Sequence, residues 1–168
     1  QEYEVEFNLL CCVNNVTAKH PFEIYDFFKE EIGNPYWQFI PIVEHVPGTD
    51  RLRDYSVSAE DYGFFMTQLF NRWVRNDLGS ISIQTFDVAL RRYVGLNAGL
   101  CIFEPTCGSA LAIEHNGDVF SCDHFVDWDH HLGNVMDKPL QDMVKDPLQR
   151  KFGQDKRDTL PQYCINCD

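Results

Sequence analysis

The chain has 168 residues, of which 44% are hydrophobic and 14% aromatic, a composition typical of a folded protein. Its 26 acidic residues outnumber its 14 basic ones, and the formal net charge is -12. We therefore expect no nucleic-acid partner, because phosphate binding needs clustered Lys and Arg. No run of about 18 apolar residues is present, so we also expect no membrane association and a cytoplasmic location.

The first elements follow the order strand, helix, strand. An apolar run within residues 2–13 predicts a strand that is buried on both faces. A helix is predicted from Pro21 until Gly33, and residues 37–43, Trp-Gln-Phe-Ile-Pro-Ile-Val, predict the second strand. This order is typical of a right-handed βαβ unit, which implies a parallel sheet covered by helices.

Further elements follow a loop predicted over residues 44–57. Ser58, with an acidic residue three positions on, is typical of a helix N-terminus. The apolar stripe that follows predicts a long helix to about Leu78. A short strand over residues 80–85 and a helix over residues 86–94 complete this part of the chain.

The composition changes near residue 97, where Gly, Pro and Cys become frequent. We therefore predict two domains, 1–96 and 97–168, the second small and held together by a metal. Within it, alternating residues on either side of Asn116-Gly117 predict a β-hairpin. Three prolines further on mark the starts of helical segments.

Five of the seven cysteines have the spacing of metal ligands: Cys101, Cys107, Cys122, Cys164 and Cys167. The last two form a C-x-x-C pair, which directs both sulfurs at one site. Thiolates suit tetrahedral zinc or an iron–sulfur cluster, and the spacing leaves both open, together with unligated thiols.

Other candidate residues have simpler interpretations. Cys11 and Cys12 are adjacent in an apolar run, so we predict that they are core residues with side chains on opposite faces. His124, His130 and His131 lie in an Asp-rich segment that we predict to be a solvated loop rather than a set of ligands.

Asp123 directly follows a candidate ligand. A carboxylate in that position is held in place and can accept a proton during catalysis. It can equally cap the hairpin or pair with a nearby Lys or Arg, and the residues alone leave these alternatives open.

The cysteine pattern resembles that of a known family. Cys107-x9-Gly117-x4-Cys122, followed by Cys164-x2-Cys167, matches the opening of the SPASM pattern, C-x9-15-G-x4-C, then C-x2-C. SPASM domains carry auxiliary [4Fe-4S] clusters on radical S-adenosylmethionine enzymes. Several shorter features are similar to the anaerobic sulfatase-maturating enzymes in particular: the Cys-Asp dipeptide at 122–123, Cys101, Leu-Gly-Asn-Val at 132–135, and the segments F-N-L-L-C-C-V-N-N and Q-F-I-P.

This resemblance implies an α/β fold. Residues 1–96 would be the C-terminal βα units of a partial (β/α)6 radical S-adenosylmethionine barrel, and residues 97–168 a small α+β SPASM domain with a β-hairpin. The family's first auxiliary cluster has ligands at the positions of Cys101, Cys107 and Cys122, with a fourth ligand further on. The positions of Cys164 and Cys167 bind its second cluster.

The resemblance also implies a function. The family oxidises a Cys or Ser side chain of a sulfatase polypeptide to Cα-formylglycine, with S-adenosylmethionine as cofactor and a reductant such as flavodoxin or ferredoxin. Asp123 matches the family's catalytic base. The segment that approaches the adenosine moiety corresponds to Gln38, Phe39, Ile40 and Pro41.

Two departures from the family limit these expectations. The C-x3-C-x2-C signature and a G-G-E-P-like segment are absent from the 168 residues, and the SPASM pattern stops after its C-x-x-C. We therefore expect a C-terminal fragment that is inactive by itself and has incomplete cluster ligation. Two alternatives stay open: a zinc-stapled cytoplasmic protein-binding module, and a sister SPASM maturase that acts on a different peptide.

Overall fold

The computed structural model describes residues 5–46 and 48–166. They divide into two compact units, with the division between Gly95 and Leu96. Each unit has its own small three-stranded sheet. The chain is therefore a mixed α/β protein, as the sequence predicts at this coarser level.

The first unit contains a parallel sheet of three strands, β1 (Leu9–Val13), β2 (Tyr36–Pro41) and β3 (Ser82–Ile83). Their order in the sheet is β1-β2-β3, and Leu9 lies opposite Trp37. The predicted parallel βαβ arrangement is confirmed. Strand β1 is shorter than predicted, because pairing begins only at Leu9.

Helical segments lie between these strands and after the last of them. Helix α1 (Pro21–Asp26) continues without a break into a π-helical segment, Phe27–Ile32. Gly33 ends it with a φ of 68°, as predicted, because only glycine adopts this left-handed conformation without steric cost. Helices α2 (Ala59–Asn76) and α3 (Gln84–Tyr93) follow.

Aromatic side chains fill the core of the first unit. The ring of Trp37 lies 4.8 Å from that of Tyr25, and the ring of Phe39 lies 5.4 Å from that of Phe65, both edge to face. The fully buried Tyr25 hydroxyl donates a 2.6 Å hydrogen bond to Asp77 Oδ2. Burial and this hydrogen bond raise the pKa of Tyr25.

The opposite face of this sheet is open. Leu10 is 59% exposed and Ile40 36% exposed, and Cys12 is exposed as well. The prediction that β1 is buried on both faces is therefore wrong, and so is the prediction that Cys12 is a core residue. The reason is that the side chains packed into this unit's core come from the other face of the sheet, where Trp37 and Phe39 point.

The second unit contains an antiparallel sheet of β4 (Ala112–Ile113), β5 (Asp118–Phe120) and β6 (His131–Asn134). The predicted hairpin is confirmed, with Gly117 at a φ of 90° in its turn. Strand β6 was not predicted, because it is only four residues long and contains a glycine. His131 consequently lies in a strand rather than in the predicted loop.

Three helices follow this sheet: α4 (Leu140–Lys145), α5 (Pro147–Asp158) and α6 (Gln162–Ile165). Asp146 caps α5, because its carboxylate accepts a 3.0 Å hydrogen bond from the amide of Leu148. Within residues 5–46 and 48–166, no helix combines the length and hydropathy required to cross a bilayer.

Candidate metal centre

Cys101, Cys107 and Cys122 line one cavity of the second unit, with a volume of about 510 Å³. The rest of its wall is largely apolar and aromatic, formed by side chains that include Ile102, Phe125 and Phe152. Three of the five predicted ligands are therefore brought together, although 20 residues lie between the first and the last in sequence.

Three different local structures position these thiols. Cys101 opens a short 3-10 turn and is exposed, whereas Cys107 lies in the loop before β4 and is partly buried. Cys122 follows directly after Ser121, whose amide donates a 3.0 Å hydrogen bond to the carbonyl of His130. The thiols thus project from a turn, a loop and a strand end.

The Asp123 carboxylate lies beside one of these thiols. The Cys122 Sγ donates a 3.1 Å hydrogen bond to Asp123 Oδ1. Burial, the adjacent Asp123 and the neighbouring Cys101 raise the pKa of the Cys122 thiol, although a hydrogen bond from the amide of His124 opposes them. The hydrogen bond from Cys122 lowers the pKa of Asp123, so this carboxyl is ionised at neutral pH and can accept a proton.

The donor set and the space fit an iron–sulfur group. The three soft thiol ligands and the apolar wall are those that such clusters use. The volume of about 510 Å³ is many times the roughly 30 Å³ that one water takes up in the liquid. Within residues 5–46 and 48–166, no group of three or more His, Cys, Asp and Glu side chains is placed so that it could hold a metal ion.

The C-x-x-C pair is only partly described. Cys164 is exposed in α6 and is not part of the cavity wall. Cys167 lies outside the described residues. It remains a prediction that the two cysteines of this pair are ligands of a second metal site, separate from the first.

The segment expected to approach the adenosine moiety forms most of β2. Gln38 is partly buried and Ile40 is exposed, both on the open face of the sheet, where they pair with Leu10 and Cys12 of β1. Phe39 points the other way and is only 3% exposed, within the aromatic core. A cofactor on the open face would therefore meet the side chains of Gln38 and Ile40, but not that of Phe39.

Comparison with known proteins places these features in a family. Residues 101–168 match the SPASM family, an iron-sulfur cluster-binding domain. The whole chain aligns at 38% identity over 182 residues with the serine-type anaerobic sulfatase-maturating enzyme of Bacteroides thetaiotaomicron. Along its whole length, the chain is similar to the anaerobic sulfatase-maturating enzymes. Klebsiella aerogenes has a serine-type relative at 32% identity that aligns with 99% of the chain, and Clostridium perfringens a cysteine-type relative at 30% identity that aligns with 90%.

Solved structures of this family have the same fold. Native anSMEcpe with bound AdoMet and Cp18Cys peptide matches 99% of the chain with a TM-score of 0.86 at 29% sequence identity. The chain corresponds to 46% of that structure and to 44% of the Bacteroides enzyme. It therefore spans less than half the length of these sulfatase-maturating relatives.

Two of the three histidines in and near the cavity have side-chain partners among the described residues. His124 and His130 line the cavity, and His130 Nδ1 lies 2.8 Å from Asp127 Oδ1. His131 Nε2 lies 3.2 Å from Asp118 Oδ1. The segment is thus more ordered than the solvated loop that the sequence predicts.

Sequence reasoning missed two residues of α5 that contact the cysteine segments. Gln149 donates hydrogen bonds to backbone carbonyls on either side of the cavity, and Gly153 lies directly against Cys107. Glycine inside a helix is unfavourable unless a close contact requires it, so Gly153 carried a usable signal. Gln149 carried none, because nothing local distinguishes it from a surface glutamine.

Proposed function

We propose that this chain is part of an enzyme that oxidises a Cys or Ser side chain of a sulfatase polypeptide to Cα-formylglycine. The observation that carries this proposal is the cavity lined by Cys101, Cys107 and Cys122, with Asp123 hydrogen-bonded to its third thiol. Relatives named serine-type and cysteine-type both align along most of the chain, which supports the reaction but leaves both target residues in the proposal.

In this proposal, the first unit supplies the last βα units of a partial (β/α)6 barrel. The parallel order β1-β2-β3 and the open face of the sheet support it, because a barrel wall has one face toward helices and one toward the lumen. Gln38 and Ile40 would then face S-adenosylmethionine in the lumen. Pro41, exposed at the end of β2, would border the same site.

The three cavity thiols would hold the first auxiliary [4Fe-4S] cluster, with a fourth ligand from outside the cavity. When bound, this cluster supplies an acceptor for an electron. Cys164 and Cys167 would contribute to a second cluster. A reductant such as flavodoxin or ferredoxin would supply the electron that starts each turnover.

Asp123 would act as the base of the reaction. Converting a CH₂–XH side chain, where X is oxygen or sulfur, to CH=X removes a hydrogen atom from Cβ, a proton from X and one electron. When X is sulfur, water then adds to the thioaldehyde and hydrogen sulfide leaves, which gives the aldehyde of Cα-formylglycine. The S-adenosylmethionine half of the enzyme would take the hydrogen atom. Asp123 lies beside the Cys122 thiol, where its ionised carboxylate would receive the proton from X.

The test uses the longer protein that carries this chain together with its C-x3-C-x2-C half. Peptides from a sulfatase, with Ser or Cys at the target position, are incubated anaerobically with S-adenosylmethionine and a reductant, and formylglycine is detected by mass spectrometry. Loss of a positioned base typically costs about 10²–10⁴-fold in rate, so we expect a loss of that order for Asp123→Asn.

Asp129→Asn is the matched control, because this exposed aspartate is close in sequence and, unlike Asp123, accepts no hydrogen bond from a cavity thiol. It should retain the rate of the unmodified protein. Formylglycine formation by Asp123→Asn at an undiminished rate would exclude Asp123 as the base. Absence of formylglycine from both peptides with the cluster-loaded protein would overturn the proposed reaction.

A further inference from the structure

Helix α5 contacts each of the three segments that carry the cavity thiols. The Lys156 ammonium donates a hydrogen bond to the carbonyl of Cys101. The carbonyl of Gly153 accepts a 3.1 Å hydrogen bond from the amide of Cys107. Gln149 Nε2 completes the series with hydrogen bonds to two further carbonyls, those of Gly108 at 2.9 Å and Ser121 at 3.0 Å.

These contacts come from one face of α5. Residues 149, 153 and 156 are separated by four and then three positions, the spacing that places side chains above one another on a helix. Gly108 directly follows Cys107, and Ser121 directly precedes Cys122. A single rigid element therefore connects a turn, a loop and a strand end that otherwise belong to different parts of the unit.

Gln149 is the most constrained member of this face. It is only 1% exposed, and its Nε2 donates to two carbonyl oxygens. Reversing the amide would bring Oε1 against both carbonyls, so the hydrogen bonds determine its orientation. Among the residues that the structure describes, its Oε1 has no partner, a costly state for a buried acceptor, which indicates that the two donated bonds determine where this side chain lies.

Glycines permit the close approach of α5 to the Cys107 loop. A Cβ on Gly153 would lie 2.2 Å from the carbonyl oxygen of Cys107, a distance that no real side chain tolerates. Gly108 has a φ of 97°, and a Cβ there would lie 3.1 Å from the carbonyl oxygen of Gln149. Both surfaces of this contact are thus bare backbone.

We propose that Gln149, Gly153 and Lys156 are positioning residues for the thiol site. They hold the backbone of Cys101, Cys107 and Cys122 in place before an iron–sulfur group binds, so that less conformational entropy is lost when the thiols become ligands. This inference rests on the proposed function, because it takes the cavity to be an iron–sulfur site. Residues that support metal ligands from behind typically change metal affinity by about 10–100-fold when they are removed.

The test uses the longer protein that carries this chain, reconstituted anaerobically with ferrous iron and sulfide. Iron and acid-labile sulfide per chain, the charge-transfer absorption and the EPR spectrum after reduction are measured, and iron loss to a chelator is followed over time. We expect Gln149→Met to lose iron about tenfold faster or more, with a broadened EPR spectrum. Gln154→Met, on the exposed face of the same helix, is the matched control and should behave as the unmodified chain.

Variants of Lys156 provide a second test, which does not depend on replacing a buried side chain. Lys156→Met removes the donor to Cys101 and should also accelerate iron loss, whereas Lys156→Arg keeps a donor and should restore slow loss. Lys151→Met is the control, because Lys151 pairs with Asp155 on the same helix. Far-UV circular dichroism checks that each variant is folded, and if Gln149→Met is not, the Lys156 variants decide.

The outcomes separate this inference from the proposed function. If the unmodified chain takes up iron and both Gln149→Met and Lys156→Met lose it no faster than their controls, the positioning role is wrong and the cluster site stands. If the unmodified longer protein takes up no more iron and sulfide than a variant with Cys101, Cys107 and Cys122 replaced by Ala, the cluster site is wrong and the positioning role is wrong with it.

Discussion

Replacing Gly153 by Ala tests how closely α5 must approach the Cys107 loop. The added Cβ would lie 2.2 Å from the carbonyl oxygen of Cys107 and 2.8 Å from its carbonyl carbon. Cβ atoms essentially never come within 3.0 Å of another group, so the helix and the loop must separate by about 0.8 Å. Both contacting atoms are backbone, so no flexible side chain can move aside.

The expected magnitude follows from a comparison with Gly63 in α2. A Cβ on Gly63 would meet no heavy atom within 4 Å, so Gly63→Ala should stabilise its helix by roughly 0.5–1 kcal/mol through helix propensity alone. Gly153→Ala gains the same propensity but adds an overpacking cost of about 1–3 kcal/mol. The two substitutions should therefore differ by about 1–3 kcal/mol in their effect on the free energy of local unfolding.

Native-state amide hydrogen exchange measures this difference, because it gives separate opening free energies for α2 and α5 in the two compact units. We expect the protection of backbone amides from exchange to rise in α2 for Gly63→Ala, and to stay level or fall in α5 for Gly153→Ala. The amide of Cys107, bonded to Gly153, should exchange faster in the second variant. Equal gains in protection at the two sites would refute the close contact between α5 and the loop.

Three further predictions concern the first unit, each checked by urea unfolding. Tyr25→Phe should cost about 1.5–3 kcal/mol, because it removes a hydrogen bond to the buried carboxylate of Asp77, whereas Tyr93→Phe, at 90% exposed, should change stability little. Burial would raise the pKa of Asp77, but hydrogen bonds from Lys29 and Tyr25 lower it overall. The ionised Asp77 carboxylate therefore contributes its full share of the free energy of unfolding above about pH 4, and this share is lost as the pH falls through the lowered pKa. Asp77→Asn should remove this part of the pH dependence of stability, and an unchanged pH profile would contradict the prediction. Ser58→Ala should cost about 1 kcal/mol, because it removes the N-cap bond to the amide three residues on, and a neutral result would refute the cap.

The order of elements could be predicted from sequence because its signals are local. Gly33 ends the first helix through its own backbone freedom, and Ser58 caps α2 through an amide only three residues away. Asn116-Gly117 determines the hairpin turn in the same way. Each signal depends on residues only a few positions apart in sequence, so it can be recognised without knowledge of the rest of the protein or its partners.

The burial of β1 could not be predicted in this way. Its continuous apolar run was interpreted as a strand covered on both faces, yet Leu10 is 59% exposed. Hydrophobic composition shows that a strand favours burial, but it does not show which element, if any, packs against each of its faces. The same limit applies to β2, where only the assembled sheet shows that Gln38 and Phe39 point to opposite sides.

The cysteine spacing by itself predicted a metal or cluster site and showed the resemblance to the SPASM pattern, because a C-x-x-C pair and further spaced thiols are typical of zinc and iron–sulfur ligands. Only the tertiary structure decided that Cys101, Cys107 and Cys122 share a cavity while Cys164 lies outside its wall. It also revealed α5 as the element behind that cavity. The hydrogen bond from Gln149 to the carbonyl next to Cys107 spans 41 residues, and a contact across that distance leaves no periodic trace in the chain.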